Sequence, residues 1–109
     1  MVTFDTVRRL ALALPEAAEG TSYGTPAFKV RGKLFARLRE EGDVLVVKAA
    51  IGHRETLIAA RPEIYFVTPH YQDHPYVLVR LPVAEEAALA DLLADAWAMV
   101  APTRLRLGS

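Results

Sequence analysis

The chain has 109 residues, 52% of them apolar, with 13 basic and 13 acidic side chains and a formal net charge of zero. This length holds one domain with one core and leaves no room for a second. The lack of cysteine excludes disulfides, thiolate metal sites and cysteine nucleophiles, and no apolar run reaches the roughly 18 residues of a membrane span.

A first helix is predicted from about Thr3 to Leu14, with Thr3 as N-cap and Asp5 in the first turn, where the helix dipole favours a carboxylate. Phe4, Val7, Leu10, Ala11 and Leu14 make its apolar stripe, and Pro15 stops it. A turn-rich connection follows, with a short strand near Thr21 to Tyr23. Ala27 to Val30 alternates as a strand, Arg31-Gly32-Lys33 turns, and Leu34 to Glu40 returns. Glu41-Gly42 makes a second turn into a strand from Asp43 to Ala49. A three-residue first loop puts Phe28, Val30, Leu34, Ala36 and Leu38 on the core face, with Leu38 opposite Leu45 and Ala36 opposite Val47. The other face then carries Lys29, Phe35, Arg37, Arg39, Val44, Val46 and Lys48.

A short second helix is expected from His53 to Arg61, ended by Pro62. Ile64 to Val67 reads as a buried strand, and Thr68 to Pro75 as a proline-bounded loop. Tyr76 to Leu81 reads as a strand with Val77, Val79 and Leu81 on one face. The last helix is expected from about Ala84 to Val100, its stripe Leu89, Leu92, Leu93, Ala96, Trp97 and Val100. Thr103 to Ser109 is expected to be a loose tail. The order predicts a single two-layer α+β domain over residues 1–109, a mainly antiparallel sheet with helices packed on one face. The N-terminus lacks a cationic start followed by an apolar block, so a cytoplasmic location is the default.

Three stretches stand out together: LALPEAAEGTSYGTPAFKVRGKLFARL, YFVTPHYQDHPYVLVRL and the closing AWAMVAP. They resemble the MmcQ/YjbR-like family of small bacterial proteins, and the resemblance runs from about residue 4 to residue 105. It implies a fold of the CyaY-like or double-wing type and DNA binding. It brings no catalytic residues.

Candidate chemistry concentrates on the first hairpin. Residues 29 to 48 hold six basic groups against three acidic ones. Lys29, Arg31, Lys33, Arg37 and Arg39 with Phe35 among them have the residue types of a nucleic-acid-binding wing, cations for phosphate and a ring for stacking. The plainer reading is a solvated hairpin whose arginines pair with Glu40, Glu41 and Asp43. Tyr23, His70, Tyr71, His74 and Tyr76 form a second candidate group, a recognition loop near the Tyr23 turn. His70 and His74 have a metal-like spacing, but Pro69 and Pro75 bracket them and a third ligand is missing, so no metal is expected. The segment from Thr21 to Pro26 carries no phosphate-loop or dinucleotide fingerprint, and no nucleophile has a base beside it. No cofactor and no catalytic residue are therefore expected. The leading reading is nucleic-acid binding through the basic hairpin, with no membrane partner. The runner-up is a protein-interaction or self-associating module using the sheet face around Phe35, Val44 and Val46. A third reading is an enzyme, which would need a pocket formed by the Tyr23 turn and the His70–Tyr76 loop.

Overall fold

The computed structural model describes residues 2–106. Helix α1 (Phe4–Leu12) begins where the Thr3 N–H donates to the Thr6 hydroxyl at 3.4 Å, and it turns Val7 and Ala11 inward. After Pro15 the chain enters strand β1 (Ala17–Ser22). Two hairpin turns of two residues follow. Tyr23-Gly24 joins β1 to β2 (Thr25–Val30), and Arg31-Gly32 joins β2 to β3 (Lys33–Leu38). In both turns both residues have positive φ, 54° and 79° in the first, 51° and 81° in the second. That is the type I′ pattern, whose twist matches that of the strands it connects, and glycine fills the second position because it has no side chain to clash there.

A wider turn over residues 39–43 leads to β4 (Val44–Lys48), closed by a 2.8 Å bond from the Arg39 N–H to the Val44 carbonyl. Then come α2 (Ile51–Ala60), β5 (Tyr65–Phe66), a 3-10 turn at Pro69–Tyr71, β6 (Tyr76–Arg80), α3 (Glu86–Val100) and α4 (Thr103–Arg106). The six strands form one antiparallel sheet in the order β1-β2-β3-β4-β6-β5. The α+β class and the antiparallel sheet are those the element order predicts.

One sheet face packs on the helices. Phe28, Val30, Ala36, Leu45, Val47, Val77 and Val79 meet Val7 and Ala11 of α1 and Leu89, Leu93, Ala96 and Trp97 of α3 in one core, and Leu57 and Ile58 of α2 pack against it. The Trp97 indole N–H donates to the Pro15 carbonyl at 2.8 Å, so its polar edge is satisfied while it ties α3 to the end of α1.

Leu38 pairs with Leu45 and Ala36 with Val47, the register that alternation predicts. The first hairpin differs. Its loop has two residues rather than three, so Val30 faces Lys33 and Lys29 faces Leu34. The next pair is Phe28 with Ala36, which leaves Phe35 as an extra residue in β3, a β-bulge. Phe35 therefore turns into the core, fully buried, instead of standing on the outer face, and Leu34 takes the outer side. The predicted wing thus loses its ring. Other differences lie at element ends. The strand expected near Thr21 starts at Ala17, α1 stops at Leu12, and the expected loose tail contains α4; its residues 107–109 lie outside the described residues.

Ion pairs clasp the β1 edge. Arg8 donates to both oxygens of Glu19 at 2.7 and 3.1 Å, and Arg31 donates to Glu16 at 3.0 Å. These hydrogen bonds, reinforced by the arginine charges, hold both carboxyls below their ordinary value. A depressed carboxylate contributes stability that is complete above the ordinary carboxylate value, about 4.3, and is lost as the pH falls through the lower folded value. In urea titrations at falling pH, the Glu19→Gln variant is expected to be less stable than the parent at neutral pH and to lose less stability on acidification. Phe35→Ala is expected to cost about 3–5 kcal/mol of unfolding free energy, as for a core phenylalanine; a cost below about 1 kcal/mol, the level of a surface site, would contradict the inward bulge.

Candidate functional site

The outer face of the sheet is not bare. Val44, Val46 and Leu78 form a second, smaller cluster there, capped by Phe66, Tyr71 and Tyr76. The cap is the segment between β5 and β6, folded back across the strands. Its shape is fixed from below by Arg54 of α2, which is 1% exposed. One terminal nitrogen of Arg54 donates to the carbonyls of Tyr71, His74 and Tyr76 at 3.2, 2.9 and 3.2 Å, and the other to that of Gln72 at 3.0 Å. The His74 and Tyr76 N–H groups already donate to the Tyr71 and His74 carbonyls at 2.9 and 2.8 Å, and the guanidinium fork adds donors to these two and to the Gln72 and Tyr76 carbonyls, while its own Nε has no acceptor.

Between this loop and the Tyr23 turn runs a groove in two halves. The larger, about 360 Å³, is lined by Tyr23, Arg37, Arg39, Glu40, Thr68, His70 and Tyr71. The smaller, about 200 Å³, shares Tyr23, Arg37, His70 and Tyr71 and adds the apolar Leu34 and Val46 with His74 and Tyr76. Antiparallel connectivity explains the meeting. The Tyr23 turn and the turn over residues 39–43 lie at the same end of the sheet, and the loop reaches them across its outer face.

Rings and cations alternate along the groove. The Arg37 guanidinium lies 5.3 Å from the Tyr23 ring centre. His70 packs edge-on against Tyr71 at 4.7 Å, Tyr71 against Tyr76 at 5.6 Å, and the Lys48 ammonium sits 5.2 Å from Tyr76. Burial, helped by the nearby Tyr23, pushes the Tyr76 hydroxyl above its ordinary value, so it stays a neutral donor at physiological pH. Tyr23 itself is 86% exposed. Arg37 is the reverse, 6% exposed, with one terminal nitrogen donating to the Leu38 carbonyl at 3.3 Å and the other to Glu40 at 3.2 Å. Its Nε has no acceptor. Arg39 pairs with Glu41 at 3.3 Å.

The candidate residues thus divide. Tyr23, His70, Tyr71, His74 and Tyr76 converge on the groove, joined by Arg37 and Arg39. Arg31 and Lys33 stand at the opposite end of β2, roughly 20 Å away for a six-residue strand, where Arg31 pairs with Glu16. Lys29 projects from the outer face opposite Leu34. Phe35 belongs to the core. Among the described residues no group of three or more His, Asp or Glu side chains stands close enough to hold a metal ion, and no helix is long and apolar enough to cross a membrane. Sequence reasoning missed Arg54 and Thr68 and placed Leu34 on the core face, while Val46 stands on the outer face as alternation predicts. Arg54 had one signal: it lies three and four residues before Leu57 and Ile58, on the helix stripe that faces the core.

Comparison with known proteins places these observations in a family context. The sequence model of the YjbR family matches residues 12–99. Uncharacterised proteins of Mycobacterium bovis and Mycobacterium tuberculosis are each 34% identical over 120 aligned positions, spanning 96% of this chain and 93% of theirs. The crystal structure of Deinococcus radiodurans protein DR2400, with a family domain named DUF419, superposes with a TM-score of 0.81 over 97% of this chain and 86% of that one, at 23% identity.

The clamp generates a test. Arg54→Met keeps the apolar stem and removes the four hydrogen bonds from the guanidinium to the loop carbonyls. It is expected to lower unfolding free energy by at least about 2 kcal/mol. Amide hydrogen exchange should accelerate first in residues 68–76. Unchanged protection of that segment in the folded variant would show that Arg54 does not shape it.

Proposed function

The chain belongs to the YjbR family, and on that premise we propose that it binds nucleic acid, DNA first, through the outer face of its sheet. The groove between Tyr23 and the 68–76 loop takes an unpaired segment, and Lys29 on the same sheet face takes a flanking phosphate. The observation that carries this reading is the exposed Tyr23 ring beside Arg37, in line with Arg39, His70 and Tyr71. Bases stack on such rings whatever their sequence, while arginine and lysine neutralise the backbone.

Two facts shape the mode. Net charge is zero, so the strong non-specific grip of a basic protein is not expected and binding is weak. The rings lie in a groove rather than on a protruding wing, so single strands suit the surface better than duplex. Lys29, on the same sheet face as the groove, carries no ion pair among the described residues, which leaves its charge for phosphate. The alternative of self-association through Phe35, Val44 and Val46 loses its surface, because all three are buried within the chain.

Fluorescence anisotropy with labelled single-stranded and duplex DNA tests the proposal. Single strands are expected to bind more tightly than duplex at low salt. The affinity should fall by about tenfold or more between roughly 50 and 200 mM salt. Lys29→Ala/Arg39→Ala should reduce both the affinity and the salt slope. Absence of binding by the folded parent at low salt would overturn the proposal.

A further inference from the structure

We infer that the groove is a built subsite for one nucleotide, a base lodged in its apolar half and a phosphate held by Arg37 and Arg39, and that Glu40 and Glu41 occupy the phosphate position when the site is empty. This deepens the nucleic-acid reading and rests on it for the source of the nucleotide.

The two halves differ in chemistry. The smaller has Leu34 and Val46 as its floor and Tyr23, Tyr71, His74 and Tyr76 around it, an environment for a flat ring with polar edges. The larger carries the two arginines and the Thr68 hydroxyl, an environment for an anion. Its volume, about 360 Å³, lies within the range of roughly 300–1,000 Å³ usual for ligand sites. Arg37 lines both halves, as a residue contacting base and phosphate of one nucleotide must.

Arg37 also has an unmet need, as Arg54 does at its own Nε. Arg37 is nine-tenths buried, and its Nε has no acceptor. Its partner at one terminal nitrogen is Glu40, a side chain 63% exposed and only three residues away. Arg39 is held in the same way by Glu41, whose side chain is 47% exposed. Both carboxylates come from the turn between β3 and β4. In each pair the carboxylate is the exposed end, so it can turn to water when another anion takes its place on the arginine. A phosphate offers three acceptor oxygens in place of one carboxylate contact and adds an acceptor for an arginine that lacks one. The acidic turn acts as a built-in competitor that keeps a buried arginine satisfied and sets the affinity of the site.

The test is an NMR titration of the 15N-labelled chain with a 5′-deoxynucleotide, the matching nucleoside, inorganic phosphate and a short single-stranded oligonucleotide. The mononucleotide is expected to shift the amides of Tyr23, Gly24, Arg37, Arg39 and residues 68–76. The nucleoside and phosphate alone should each bind roughly tenfold more weakly or worse, since each reaches one half of the groove. Glu40→Gln, which keeps shape and loses charge, should tighten nucleotide binding about two- to fivefold. Tyr23→Asn removes the ring at a position whose left-handed backbone asparagine accepts, and should weaken binding about fivefold or more. An oligonucleotide that binds more tightly than the mononucleotide identifies nucleic acid as the source; equal affinity identifies free nucleotides and keeps the subsite while removing the nucleic-acid reading. If the oligonucleotide binds parent and both variants alike, with shifts confined to the turn at Arg31, nucleic-acid binding stands and the subsite falls. If neither oligonucleotide nor mononucleotide shifts any groove amide, both readings fall.

Discussion

A buried guanidinium held mainly by backbone carbonyls is the constraint from which the functional side of this domain follows. Arg54 cannot keep its charge in the interior unless its donors are occupied, and the loop between β5 and β6 cannot bury its carbonyls without donors. Each group makes the other tolerable. Glu55 stands 3.6 Å away and is more than half exposed, so neutral carbonyl dipoles carry most of the load. With the loop so fixed, the outer apolar cluster of Val44, Val46 and Leu78 is covered, and the groove is the space the cover leaves open. The helix layer, through α2, thereby shapes a surface on the far side of the sheet.

How much of this was legible in the chain depends on the range of each interaction. Alternation fixed the pairing of Leu38 with Leu45 and of Ala36 with Val47, because a slip would exchange core and solvent faces. The facing of Val77, Val79 and Leu81 followed from the same rule. The bulge at Phe35 left no mark, since Leu34 and Phe35 are both apolar and either can turn inward; only the volume available on the core side decides. Nothing local marks Arg54 as a clamp, its acceptors lying seventeen to twenty-two positions further along the chain. Tyr23 and the residues from His70 to Tyr76 were visible as unusual local composition. Their meeting is a tertiary contact that composition cannot reveal.

The charge distribution has a similar split between local and distant terms. Most arginines of the chain are engaged by carboxylates: Arg8 with Asp5 and Glu19, Arg9 with Glu86, Arg61 with Glu63 and Glu85, and Arg31 and Arg104 with the same Glu16. Among these pairs Arg8–Glu19 ties α1 to β1, Arg9–Glu86 ties α1 to α3, and the rest join turns and helix ends. In the groove both arginines are held by carboxylates of one turn and by none from another element. That difference is one of mobility, since a pair within a turn can open without moving any other element.

The bulge in β3 also bears on how this fold can change in length. In a regular strand the loss of one residue inverts every side chain beyond it, and selection removes such deletions. Position 35 is the exception, because its removal joins Leu34 to Ala36 with alternation intact and leaves each later residue on its present face. The damage would be confined to an unfilled volume in the core, which enlargement of a neighbouring side chain can repair. Insertions and deletions at this point are therefore coupled to core size and uncoupled from register, which makes β3 the one strand of the hairpins whose length is free to drift.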